Sequence, residues 1–420
     1  MPESFDLILE GGRVFDPSQD IDGVFDIGVR DGYIAAIRRE MTREPAERRL
    51  DARGTLITPG LIDVHCHVYE AVTRPSVPVH EAGVGAGVTT VLDTGSAGHA
   101  TFAGFDKFVI QTSRTRVFAF LHISHTGVAV TPEIRTREDI DIERTVQTAT
   151  RYPDLIRGIK IRAVGPGIAA MGLEAFRLAK EAARAAKIPL MVHIGDRSGK
   201  NPQETTAAIL RLLEAGDIVT HMYSGETGSI WTDQRHLFRE VKDAMARGVL
   251  FDCAHGIAGC SFRVARKAIA QGILPYTISS DLSTYGQRSI VFSLTETMGK
   301  YLALGLSLKE VIRATTVNAA HLLRQESALG SLREGREADI SFLRLVSGKW
   351  EFQDSRGDTI QGETAVVPVA CVRKGKVIAA DWGPRPWGWL PKAVDGQDPE
   401  AGKGLPSWWI EKYGKQRPSS

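Results

Sequence analysis

The sequence predicts an α/β chain, a (β/α)8 TIM barrel with a small discontinuous β-sandwich built from both chain ends. Three observations carry this. From Leu56 to about Gln325, short β-type runs alternate with helical stretches. The flanking segments read as strands and tight turns. Histidines and an aspartate end several of the alternating strands.

Residues 5–57 come first. Leu7-Ile8-Leu9-Glu10 runs into Gly11-Gly12, and Asp26-Ile27-Gly28-Val29 is followed by Asp31-Gly32 and Tyr33–Ile37. An Asp-Gly pair between apolar runs is a strong hairpin signal. The barrel strands are expected at Leu61–His67, Thr89–Thr94, Val117–Ile123, Ile156–Ile161, Leu190–His193, Ile218–His221, Val249–Asp252 and Thr277–Ser280. Helices are expected at Leu173–Ala186, Gln203–Glu214, Gln234–Arg247 and Phe262–Ala270, then at Ser307–Leu323. A doubly wound open sheet is the alternative, but it needs no eighth strand. Ala338–Leu343, Val367–Val372 and Val377–Ala380 then return to β character, with Arg373-Lys374-Gly375-Lys376 as a turn.

The expected division is therefore residues 1–57 with 326–383 as the sandwich, 58–325 as the barrel and 384–420 as an arm. Neither half of the sandwich has enough strands to stand alone. The arm carries Trp387, Trp389, Trp408 and Trp409. Aromatics in a tail usually pack on a neighbour, which predicts an arm on the barrel or on a second copy in a homo-oligomer.

Composition narrows the partners. A net charge of +2 over 420 residues suggests neither a nucleic-acid nor a membrane partner. No apolar run is long enough to span a membrane. The acidic start, Met1-Pro2-Glu3-Ser4-Phe5-Asp6, does not resemble a signal peptide. The four cysteines, Cys66, Cys253, Cys260 and Cys371, form no disulfide framework, which fits a cytoplasmic protein.

The chemistry lies at the strand ends. His65 and His67 sit one residue apart, and in an extended strand such a pair points to one side. Lys160 lies on the fourth barrel strand, His193 ends the fifth, His221 the sixth and Asp281 the eighth. In a barrel these all reach the C-terminal mouth. Four imidazoles and a carboxylate favour a borderline transition ion, zinc foremost. A lysine ammonium does not fit such a set. A lysine carboxylated by carbon dioxide does, because its carbamate is an anion with two oxygens. Each residue alone is more often structural; the whole set is not.

These residues, with Thr58-Pro59-Gly60-Leu61-Ile62-Asp63-Val64-His65-Cys66-His67, Gly87–Asp93, Thr316–Ala320 and Gly335–Ile340, resemble the amidohydrolase superfamily. The resemblance is to the binuclear, lysine-bridged branch. Asp93–Gly98, Thr220–Tyr223, Val249–Gly256 and Ile278–Leu282 are most similar to its deacetylase-like group. It implies that His65, His67 and Asp281 hold one metal and His193 and His221 the other, with carboxylated Lys160 and a hydroxide bridging them. The implied activity is hydrolysis of an ester or amide of a small acyl substrate, with Asp281 as the proton shuttle. The alternative is a cyclic amidohydrolase like dihydroorotases and hydantoinases, or an N-acyl amino acid amidohydrolase. A non-catalytic scaffold would be expected to have lost ligands, and this set is complete.

Arg162, Tyr223, Asp252 and His255 are candidate substrate contacts, with a core position the competing reading for Tyr223 and His255. His122 and His125 end the third strand and are further candidates. His80, His99, His236 and His321 read as structural. Gly83-Val84-Gly85-Ala86-Gly87 has no strand before it, the wrong order for a dinucleotide loop.

Overall fold

In the computed structural model of the chain, residues 4–201, 203–231, 236–287, 289–382 and 391–394 are described. Strands β1 (Leu7–Asp16), β2 (Ile21–Arg30) and β3 (Tyr33–Arg38) form an antiparallel meander. Asp31 (φ 52°) and Gly32 (φ 79°) make the two-residue turn that the Asp-Gly pair predicts. Gly11-Gly12 does not turn the chain. With Gly11 at φ 69°, the pair forms a bulge inside β1, and the strand runs on to Asp16. Strands β4 (Arg49–Asp51) and β5 (Leu56–Pro59) add to β1 in parallel.

The chain then enters a parallel sheet in which spatial order follows chain order. Its strands are β6 (Leu61–Cys66), β7 (Val88–Gly98), β8 (Arg116–His122), β9 (Ile156–Arg162), β10 (Leu190–His193), β11 (Ile218–Thr220) and β12 (Leu250–Asp252). The expected eighth strand is present only as single bridges, Asp252 to Thr277 and Cys66 to Leu282. Hydrogen bonds still tie this segment to both edges. Cys253 and His255 N–H donate to Thr277 and Ser279 carbonyls on one side. Asp281 N–H donates to the His65 carbonyl (2.7 Å) on the other. The regular ladder fails because Asp63 takes both the N–H and the hydroxyl hydrogen of Ser280.

Helices between these strands bury one face each. Leu173–Ala186 buries Ala175, Phe176, Ala179, Ala182 and Ala183, the stripe expected from its spacing. Ser307–Leu323 is two helices rather than one, Leu308–Thr315 and Val317–Leu322. The break is at Thr316 (φ −133°), where the Thr315 and Thr316 hydroxyls donate back to the Val311 and Ile312 carbonyls. Among the described residues, no helix is long and apolar enough to cross a membrane.

Strands β13 (Ile340–Gln353), β14 (Thr359–Arg373), β15 (Lys376–Ala379) and β16 (Lys392–Ala393) return to the first sheet, where β13 pairs with β5. Among the described residues, one nine-stranded sheet is thus assembled from segments near both ends of the chain. It curls until β3 meets the residues before β13: Ile34 N–H donates to the Arg336 carbonyl and Ala338 N–H to that of Gly32. Leu9, Ile27, Ile57, Ile340, Phe342 and Val372 share its core. The β13–β14 hairpin is much longer than expected. Its far end lays Trp350, Phe352 and Ile360 into the barrel's own core, and Asp354 accepts from the N–H of Phe262 at the start of a barrel helix. Most of the Trp-rich arm, and all four of its tryptophans, lies outside the described residues.

Candidate active site

The six predicted side chains line one cavity of about 320 Å³ at the C-terminal end of the barrel. His65 Nε2 lies 3.4 Å from Lys160 Nζ and 3.6 Å from Asp281 Oδ1. His67 Nε2 is 3.5 Å from the same oxygen. The His193 and His221 ring centroids lie 3.9 Å apart with the rings tilted by 48°, and the His221 and His65 ring centroids are 4.9 Å apart. His65, His221 and Asp281 offer ligand atoms within 4.8 Å of one another. His221 (φ 65°) and Asp281 (φ 48°) both hold the left-handed conformation that residues with a Cβ avoid. Such strain persists where surrounding structure enforces it, commonly at functional sites.

Neighbouring groups aim the imidazoles. Asp252 accepts the Thr220 hydroxyl hydrogen (2.8 Å), so Thr220 Oγ1 must accept from His65 Nδ1–H (2.9 Å). That leaves the His65 Nε2 lone pair facing the cavity. Ser96 Oγ holds His67 Nδ1 at 2.9 Å, and the Ala254 carbonyl accepts from His221 Nδ1–H at 2.9 Å. His221 Nε2 is then buried with no hydrogen-bond partner among the described residues. A buried, unpartnered nitrogen aimed into a carboxylate-lined cavity fits a metal ligand.

Burial sets the charge states. It pushes His67 down to about 3, helped by the charges of Lys160 and Arg162, and holds His65, His193 and His221 well below the ordinary imidazole value. All four are neutral, the form that binds metal. Burial likewise lowers Lys160 and raises Asp281. The donor set therefore fits a divalent-ion centre.

Arg162 points to the cavity wall, two residues beyond Lys160, and pairs with Glu133. Burial raises the Glu133 carboxyl, but Arg162 and His122 outweigh it and hold the group below its ordinary value. Tyr223, Asp252 and His255, the other expected substrate contacts, are buried and do not line this cavity. Tyr223 is fully buried and donates to the Ile273 carbonyl (2.7 Å). Asp252 is consumed by Thr220, Thr277 and Ser279. His255 lies beneath the mouth, 3.3 Å from the buried Lys300 amine. Strand ends predict direction only approximately, because β11 and β12 are three residues each.

The Amidohydrolase family profile matches residues 56–378. The chain belongs to the amidohydrolase family. It is 35% identical over 353 residues to a deacetylase of Agrobacterium fabrum, covering 83% of this chain and 85% of that protein. A Brucella anthropi deacetylase is also 35% identical, over 86% of this chain and 89% of the relative. A crystal structure of a dihydroorotase superposes with a TM-score of 0.82 at 33% identity, covering 89% of this chain and 99% of that one. The chain is thus a hydrolase of this family.

For this family member, four supporting residues were not anticipated: Asp63, Ser96, Thr220 and Glu133. Asp63 carried a signal, a lone carboxylate inside an otherwise apolar strand two residues before His65. Ser96 and Thr220 carried none, because each acts on a histidine distant in the chain.

Proposed function

We propose that the protein hydrolyses an ester or amide of a small acyl-bearing acid, as a deacetylase-type enzyme with a binuclear metal centre. The unpartnered Nε2 of His221, in one cavity with five other candidate ligands, carries this reading. His65, His67 and Asp281 would hold one ion and His193 and His221 the other. Lys160 would join them as its carbamate, formed when the unprotonated amine adds to carbon dioxide and loses a proton. Bound divalent ions, zinc foremost, supply Lewis acidity that makes water nucleophilic at neutral pH and polarises the scissile carbonyl.

The chain's own groups do the rest. Thr220, Ser96 and the Ala254 carbonyl keep the histidine lone pairs turned inward. Asp281 takes the proton of the attacking water on its carboxylate and delivers it to the leaving oxygen or nitrogen. Arg162 binds a substrate carboxylate from the wall, exchanging part of its pairing with Glu133. The two deacetylase relatives support this acyl specificity.

The dihydroorotase likeness favours a second reading, ring opening of a cyclic amide by the same centre. One panel separates them. Enzyme prepared with bicarbonate and zinc is assayed on O-acetyl 2-hydroxy acids and N-acetyl amino acids of both hands, and on dihydroorotate and hydantoins. Turnover of one enantiomer of an acetylated acid is expected; turnover of the cyclic amides alone would refute the acyl reading. Asp281→Asn is expected to lower kcat about 100-fold or more with the fold intact, within the range for a general acid–base. Normal turnover by that variant would remove the proton role.

A further inference from the structure

A second group of ligand-type side chains lies outside the cavity. His99 follows β7, His125 follows β8, and Asp141 precedes the helix Ile142–Arg151. Their ligand atoms lie within 4.8 Å of one another, and all three residues are half-buried. The two imidazoles meet edge to face at 5.0 Å. His99 Nε2 is buried and has no hydrogen-bond partner among the described residues. Such an orphan costs about 1–3 kcal/mol unless something occupies it. Asp141 spends Oδ1 on the helix, accepting the N–H of Arg144 at 2.9 Å. Its Oδ2 lies 3.6 Å from the exposed Arg144 guanidinium.

The backbone holds these three segments in place. Ala100 N–H donates to the His125 carbonyl (2.9 Å) and His125 N–H to that of Asp139 (3.2 Å). Gly98 packs so closely that a Cβ there would lie 2.1 Å from the Ser124 carbonyl oxygen. A tetrahedral ion with bonds of about 2.1 Å keeps its ligands about 3.4 Å apart. Rotation of these half-exposed side chains spans the difference.

We propose that His99, His125 and Asp141 form a separate structural metal site for a divalent transition ion such as zinc, its fourth position open to water. The ion clips the loops after β7 and β8 to the start of a helix. The stretch it closes, between His125 and Asp141, places Val128, Thr131 and Glu133 on the wall of the active-site cavity. The clip therefore braces the partner of Arg162 without touching the reacting atoms.

The test compares wild type with Asp141→Asn, because asparagine caps a helix as well as aspartate but lacks the charge. Both proteins are stripped with chelator, dialysed against zinc, desalted and assayed by mass spectrometry for metal. Asp141→Asn is expected to carry one ion per chain fewer than wild type. His99→Gln/His125→Gln should show the same loss, and Asp281→Asn should retain this ion, which separates the site from the catalytic centre. Loss of the ion should also speed tryptic cleavage at exposed Arg135 and at Arg137, inside the clipped stretch, about tenfold, the factor set by a bracing contribution of about 1.4 kcal/mol to the closed loop. Equal zinc content in wild type and Asp141→Asn overturns the proposal.

Discussion

A single methyl group beneath Asp281 should silence the site. Gly256 holds φ +49°, and a Cβ there would lie 2.1 Å from Asp281 Oδ2. Ordinary contact begins near 3.4 Å, so the carboxylate must retreat by roughly 1.3 Å. Neither backbone can yield. Gly256 N–H is bonded to the Ser280 carbonyl (2.9 Å), and Asp281 N–H to that of His65 (2.7 Å). A misplacement of about 1 Å costs about 100-fold in rate. Gly256→Ala is therefore expected to lose at least that factor in kcat and to bind metal less fully. Left-handed strain adds about 1–2 kcal/mol of instability. Gly272→Ala isolates the strain, because Gly272 also has positive φ (+74°) but a Cβ there would meet no atom within 4 Å. It should match the first variant in stability loss yet turn over normally. The assay is kcat on the best acyl substrate, beside metal content and thermal unfolding. Folded Gly256→Ala with the turnover of Gly272→Ala would refute the placement of Asp281 at the reacting centre.

Lys160→Ala should lose most bound metal and regain part with acetate or propionate added; full metal content without either would exclude the carbamate bridge. Lys180 is buried and pairs with Asp217 at 2.5 Å and Glu214 at 2.9 Å. Lys180→Met should cost about 3 kcal/mol by urea unfolding, because it strands the buried Asp217 carboxylate, and Asp217→Asn added to it should return part of that. A loss under about 1 kcal/mol would show that the backbone N–H groups of Leu190 and Glu214 satisfy Asp217 unaided. All four cysteines are buried, and burial pushes the Cys260 thiol up to about 12. A disulfide reagent at pH 8 should label none in the native protein and four after denaturation. Because unfolded thiols ionise near about 8.5 and the folded ones do not, stability should fall as pH rises above that value. A thermal midpoint unchanged between pH 8 and pH 10 would contradict this.

What the sequence revealed was mostly local. The one-residue spacing of His65 and His67, the Asp31-Gly32 turn and the alternation of strands and helices all depend on neighbours in the chain. The six cavity residues were legible because a barrel converts strand ends into one mouth. What stayed hidden was decided by distant partners. Asp63 could not be seen to intercept Ser280, nor Thr220 to set the tautomer of His65. Tyr223, Asp252 and His255 looked available because their strands end near the mouth, but depth is a tertiary property. His99 read as a lone structural residue because its neighbours, His125 and Asp141, arrive from other loops. Gly11-Gly12 is ambiguous in the sequence because bulge and turn use the same glycine freedom, and pairing with β2 chooses the bulge.

The long β13–β14 hairpin also constrains the order of events during synthesis. Trp350 and Phe352 complete the core of a barrel whose strands leave the ribosome well before them. Until residues 340–373 emerge, that niche stands open and β5 lacks its neighbour β13. The barrel core is thus completed only once this hairpin is available, and chains stalled near residue 330 should be cut by traces of protease that spare the finished protein.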